Sequence, residues 1–262
     1  MLVHTSLLNR TLHHKPAGVR SSPMQKYANP LRFTRLADKI LPWSSAVAVA
    51  AFIGGLYLAL AASPPDFQQG ESVRLMYVHV PNAWLSTQTY MFIALLSAVS
   101  IIWKHPLADL GAKAAAPIGL IFTGLALITG SIWGKPMWGT WWVWDARLTS
   151  VLVLFFLYLG YMAIWRAIED QQKASKVAAI LALVGVVNIP IIKFSVEWWN
   201  TLHQPSSVFR AEGPAIDGSM LWPLLVMVLA FQAYFVTVLL WRMKAEIVER
   251  KLLALQYQEA SE

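Results

Sequence analysis

Apolar and polar positions alternate along this chain in blocks rather than with a short period. Six runs are dominated by apolar residues and contain no Asp, Glu, Lys, Arg or His: 44–62, 83–103, 114–133, 148–165, 177–192 and 220–241. A helix needs roughly 20 such residues to cross ~30 Å of hydrocarbon. Lipid offers no partner to a free backbone group, so uncharged runs of this length predict spanning helices. The expected fold is therefore an all-α integral membrane protein with six transmembrane helices. The fifth run is short, and it either thins the bilayer or continues past Lys193 with that side chain snorkelling or facing protein. Pro117 and Pro223 suit first helical turns, and Pro190 should bend or end the fifth helix.

The charges lie between these runs and set the orientation. The N-terminal segment, the 104–113 and 166–176 connections and the C-terminal segment hold 16 of the 21 Lys and Arg residues. By the positive-inside rule both termini are cytoplasmic, and the 63–82, 134–147 and 193–219 connections face outward. Three parts follow: a basic cytoplasmic N-terminal segment over 1–43, a six-helix membrane domain over 44–242, and a cytoplasmic tail over 243–262, whose mixed charge over 244–262 reads as a solvated tail or, as the alternative, as a helix on the cytoplasmic surface. Residues 1–37 carry six basic residues and no acid, with Met24 as a candidate alternative start. The net charge of +7 is spread over short connections, which argues against nucleic acid as a partner. There are no cysteines, so thiolate metal sites and a cysteine nucleophile are excluded.

Tryptophan changes the picture. Of 13 tryptophans, Trp43, Trp103, Trp165 and Trp241 mark inner helix ends, as an interfacial belt would. The other nine lie on the outer side, and five of them fall within 133–144. A lipid-anchoring belt alone would be more even. Such a cluster can hold a large flat ring by stacking.

Two of the histidines, His79 and His203, fall on the outer side, each followed by x-Pro and each near tryptophan. Two neutral imidazoles without cysteine make a poor zinc site. They suit iron already held by a macrocycle, as its two axial ligands. Arg147, Arg210 and Arg74 are the candidate cations for propionates. Asp145 is placed to cap the helix that follows, or to hold Arg147 or the loop backbone. Interfacial roles for the histidines and lipid anchoring for the tryptophans are the alternatives that these residues leave open.

The segment Trp138-Gly-Thr-Trp141-Trp142-Val-Trp144-Asp145 resembles the Trp-Gly-x-x-Trp-x-Trp-Asp signature of haem-handling membrane proteins, the WWD group. Six runs, the chain length and the continuation Asp145-Ala-Arg147-Leu-Thr-Ser are most similar to its CcmC family. The larger CcmF and CcsA relatives carry more spans and continue with Asp-Pro. The resemblance covers residues 27–243. It implies a non-enzymatic protein of cytochrome c-type biogenesis in the bacterial inner membrane, binding haem b at the periplasmic face. It implies His79 and His203 as axial ligands and a signature loop (Trp138, Trp141, Trp142, Trp144, Asp145, Arg147) that contacts the ring and presents it to the haem chaperone CcmE. The small membrane protein CcmD and the ABC subunits CcmA and CcmB are the implied partners. No Gly-x-x-x-x-Gly-Lys pattern occurs here, so any ATPase is another chain.

Two other functions compete. A permease subunit moving haem or another substrate should show ionisable groups at mid-membrane depth, and these runs have none. A haem lyase, forming thioether bonds itself, is disfavoured by the small size and by runs free of histidine.

Overall fold

A computed structural model describes residues 29–205 and 207–259. Seven α-helices follow in order: α1 (Pro30–Tyr57), α2 (Met76–Trp103), α3 (Pro106–Trp138), α4 (Ala146–Ala167), α5 (Gln171–Gly185), α6 (Asn188–Trp198) and α7 (Gly218–Glu259). A π turn extends α1 to Ala62, and a 3-10 turn, Glu71–Leu75, leads into α2. By length and composition six helical segments can span a membrane, with α5 and α6 forming one of them. The all-α expectation holds: the described residues show a single isolated β-bridge, Asp66 with Gly70.

The helices are longer than the apolar runs. Asn29 caps α1, accepting the Leu31 and Arg32 N–H groups on its side-chain oxygen, and Pro30 opens the helix without losing a bond. The 43/44 boundary therefore lies within α1, and the 242/243 boundary lies within α7. Residues 1–28, with Met24, His4, His13 and His14, are outside the described residues.

The segment expected as a solvated tail continues α7 as helix. Ion pairs explain this: Lys113 with Glu246 (2.7 Å) and Arg250 with Asp109 (3.2 Å) fasten α7 to the start of α3, and Lys244 pairs with Asp38 of α1. Chain entry and exit thus share one end of the bundle.

Of the three prolines read from the sequence, Pro117 departs from expectation. Pro117 sits deep inside α3, because that helix already begins at Pro106. A proline loosens the carbonyl ladder before it. Arg242 meets this stretch by donating its Nε–H to the Ala114 carbonyl (2.9 Å). Pro223 falls near the start of α7, as expected. The fifth span breaks at Val186–Val187, just before Pro190, and resumes as α6 past Lys193 to Trp198. It is not short after all.

In lipid, helices associate through close packing rather than burial from water. Every buried residue of α5 is small: Ala174, Ala178, Ala179, Ala182 and Gly185. The middle of the bundle is filled by Tyr90, Phe122, Tyr158 and Tyr161, all but fully buried. The Tyr158 hydroxyl donates to the Ser86 carbonyl (2.7 Å), and its ring lies over Gly119, where a Cβ would come within 2.3 Å. Trp165, read from sequence as a belt residue, is buried, with the Lys113 ammonium 5.3 Å from its ring centre. Trp43, Trp103 and Trp241 are exposed, as lipid-facing anchors would be.

Gly119→Ala is expected to lower stability by about 1–3 kcal/mol through overpacking. Gly54→Ala, which meets nothing within 4 Å, should be neutral or slightly stabilising. Thermal unfolding in detergent compares the two.

Candidate functional site

The opposite, tryptophan-rich end holds a cavity of about 490 Å³, within the ~300–1,000 Å³ range of small-molecule sites. Helices α2, α3, α4, α6 and α7 wall it, and the 199–217 loop covers it. Its depth on α2 runs from Met76 to Met91 and on α3 from Trp138 back to Ala126.

His79 and His203 meet in this cavity, 124 positions apart in sequence but with ring centres 6.2 Å apart and planes at 84°. They arrive by different routes. His79 projects from α2, and its ring packs against Gly130 of α3, where a Cβ would come within 2.9 Å of the imidazole. Any larger residue at 130 would displace it. The Thr129 hydroxyl donates to the Leu125 carbonyl (2.6 Å), so it receives the His79 Nδ1–H (3.1 Å) as acceptor. With that proton given to Leu125, the matching tautomer carries its proton on Nδ1 and leaves Nε2 as the lone-pair donor. Thr129 and Gly130 lie mid-run in α3, and no pattern in the sequence singled them out.

His203 sits in the 199–217 loop. Burial, and then the neighbouring Arg147 guanidinium, push its pKa down to about 4. At neutral pH this imidazole is uncharged and can donate a lone pair. The two His-x-Pro sequences therefore serve unlike settings: Pro81 is inside α2, whereas Pro205 is in a loop.

The signature resolves into a helix stop and a helix start. Trp138 is the last residue of α3, with its ring folded back over Gly134 and 5.3 Å from His203. Gly139 ends the helix in the left-handed conformation (φ 73°), a place suited to glycine. Asp145 caps α4, its Oδ1 accepting the Leu148 N–H (2.8 Å), while Oδ2 accepts the Leu202 N–H (3.3 Å). Both roles weighed for Asp145, cap and loop anchor, are present; it does not line the cavity.

The outer tryptophans divide into two groups. Trp84, Trp133, Trp138 and Trp142 line the cavity. Trp141, Trp144, Trp198, Trp199 and Trp222 are exposed, Trp144 to 74%. Trp133 packs beside His79 (5.7 Å) and donates its indole N–H to Gln69 (2.9 Å). The buried indole N–H of Trp142 has no partner among the described residues.

Of the three arginines, only Arg147 lines the cavity. It donates its Nε–H to Ser195 Oγ (2.6 Å). Arg74 is engaged with Glu71 and with the Ala59 and Ser63 carbonyls, and Arg210 with Glu212. Lys193 and Glu197 also line the cavity; the pattern pointed to Lys193 only as a span problem. Among the described residues no three His, Cys, Asp or Glu side chains converge as a metal site. Two imidazoles alone suit a metal that brings its other ligands with it.

His203 is expected to titrate near pH 4 rather than near ~6.5. Between these values the unfolded chain binds a proton that the folded loop refuses, so stability falls as pH drops through this window. Histidine-resolved NMR of the full chain, with His203→Gln to assign the signal, reads the midpoint.

Residues 23–258 match the CcmC family, described as heme exporter protein C. Heme exporter protein C of Bradyrhizobium diazoefficiens is 56% identical over 234 residues, covering 89% of each chain. That of Escherichia coli K12 is 45% identical over 221 residues, 84% of this chain and 89% of its own length. The Paracoccus denitrificans protein of the same name is 42% identical over 235 residues, covering 89% and 97%. With a cavity built on the signature loop and two facing imidazoles, and with identity of this extent, the chain belongs to the CcmC (heme exporter protein C) family.

Proposed function

We propose that this multi-pass membrane protein binds haem b as cargo in the tryptophan-rich cavity, His79 and His203 ligating the iron from opposite faces. The observation that carries this reading is the imidazole pair. Two axial rings on one iron have centres roughly 6 Å apart, counting metal–nitrogen bonds of about 2 Å and the distance from each nitrogen to its ring centre. The measured separation is 6.2 Å. The fixed Nε2 lone pair of His79 and the depressed basicity of His203 suit ligation at neutral pH.

The remaining lining fits a porphyrin. Trp133 and Trp138 supply aromatic surface beside the histidines. Arg147 lines the cavity as a charged donor for propionate oxygens. The relatives are named as heme exporters, which agrees with such a cargo. Their names and the six helices able to span a membrane support a role in haem export for cytochrome c maturation; on this reading the cavity opens at the periplasmic face of the inner membrane.

Delivery follows from what is left uncovered. Trp141 and Trp144 stand exposed on the signature loop, beside Trp142 of the cavity wall. On this reading they form the docking surface for the haem chaperone CcmE, while CcmD and the ABC subunits CcmA and CcmB complete the assembly. The chain itself binds and hands over; it performs no bond-forming chemistry. The permease reading finds little support, because the apolar runs carry no ionisable group at mid-membrane depth.

Two outcomes are expected. His79→Ala and His203→Ala, purified with haem, should each lose the low-spin spectrum of the wild type. Retention of that spectrum in either variant would refute ligation by the residue removed. Trp144→Ala should keep haem and reduce transfer to CcmE, roughly tenfold or more if it is an interface hot spot. Unchanged transfer would make this residue a lipid anchor only.

A further inference from the structure

The two histidines are held in unlike ways. His79 is mid-helix, its Nδ1–H bonded to Thr129 and its ring seated on Gly130. His203 makes no side-chain hydrogen bond among the described residues, and its ring only rests against Trp138 and His79. What holds it is its backbone. The Leu202 N–H, one residue before it, donates to Asp145 Oδ2 (3.3 Å). The other end of this stretch is tethered by Arg147 to Ser195, whose hydroxyl donates to the Ile192 carbonyl (2.9 Å). Both tethers come from the first residues of α4 and its cap. On its other side α6 joins α5 through Val186–Val187, where the ladder tightens from i→i+4 to i→i+3 bonds. The stretch from α6 into the His203 loop is thus pinned at both ends from the start of α4, at its loop end by the signature loop's own aspartate.

From this geometry we infer that Asp145 is a positioning residue for His203, a latch joining the signature loop to the His203–iron bond. The inference rests on the ligand reading above. One carboxylate divides its oxygens between the α4 cap and the His203 loop. A partner that engages exposed Trp141 and Trp144 and shifts the 139–145 loop thereby also withdraws the acceptor from Leu202. The iron then loses its loop-borne ligand first, while His79 stays fixed between α2 and α3. One coordination position opens on the side that faces the partner's contact loop. An incoming ligand from the chaperone would take that position, and no ligand need be expelled from the rigid helix pair.

Asp145→Ser tests the latch in the full chain loaded with haem b. Serine caps a helix about as well as aspartate, but its single hydroxyl is too short to reach Leu202 as well. Asp145→Asn is the closer isostere: it keeps a capping oxygen and turns an amide N–H toward the Leu202 N–H. The wild type should be low-spin. Both variants should gain a high-spin fraction that added imidazole converts back to low-spin. They should also bind imidazole on the order of tenfold more tightly, the value of one lost hydrogen bond to a charged group. In the haem-free protein, amide exchange over 199–205 should quicken while α2 around His79 is unchanged. Unchanged exchange in that loop, or a fully low-spin Asp145→Ser and Asp145→Asn, would overturn the latch. A wild type lacking two axial imidazoles would instead overturn the ligand reading beneath it.

Discussion

The hydrogen bond from His79 Nδ1 to Thr129 is the contact on which the rest of the site depends. An imidazole buried in a membrane bundle needs a partner for its N–H and must keep its other nitrogen free if it is to bind anything. Thr129 meets both needs because its own proton is already given to the Leu125 carbonyl. Gly130, one residue on, removes the side chain that would collide with the ring. The pairing of α2 and α3 is thus tied to the orientation of a single nitrogen. Everything else in the cavity, the second histidine included, is arranged around that fixed point.

A site for handing over cargo must bind firmly without closing. The structure divides these demands between its two walls. Helices provide the fixed ligand and the aromatic surface beside it. Loops provide the second ligand and the exposed tryptophans, and one aspartate links the loops to each other. A deeply enclosed pocket would store a ring; one covered by a loop can release it.

Much of this was legible in the sequence, for physical reasons. Uncharged apolar runs leave the backbone no option but helix, so six spans could be read directly. The outer excess of tryptophan and the two histidines marked the right end of the bundle, because those residue types have few other uses there. Other features depend on partners distant in sequence. The ion pairs that tie α7 to Lys113 and Asp109 of α3 join residues far apart in sequence, which no local pattern reveals. Of the two readings of the fifth span, continuation past Lys193 holds, with that charge lining the cavity rather than ending the helix. Trp165 looked like an anchor because its position matched a belt, yet it is buried beneath Lys113. Thr129 and Gly130 carried no signal at all, since their role exists only once α2 lies against α3. The signature itself was recognisable as letters, but its division into a helix stop, a cavity wall and a helix cap required coordinates.

Pulsed EPR of the ferric haem complex, prepared from protein with ¹⁵N-labelled histidine, tests the central claim most directly. Coupling of the iron to two labelled imidazole nitrogens is predicted, with one lost in His79→Ala and the other in His203→Ala. A complex whose iron couples to no labelled nitrogen, or whose couplings survive both substitutions, would contradict the account.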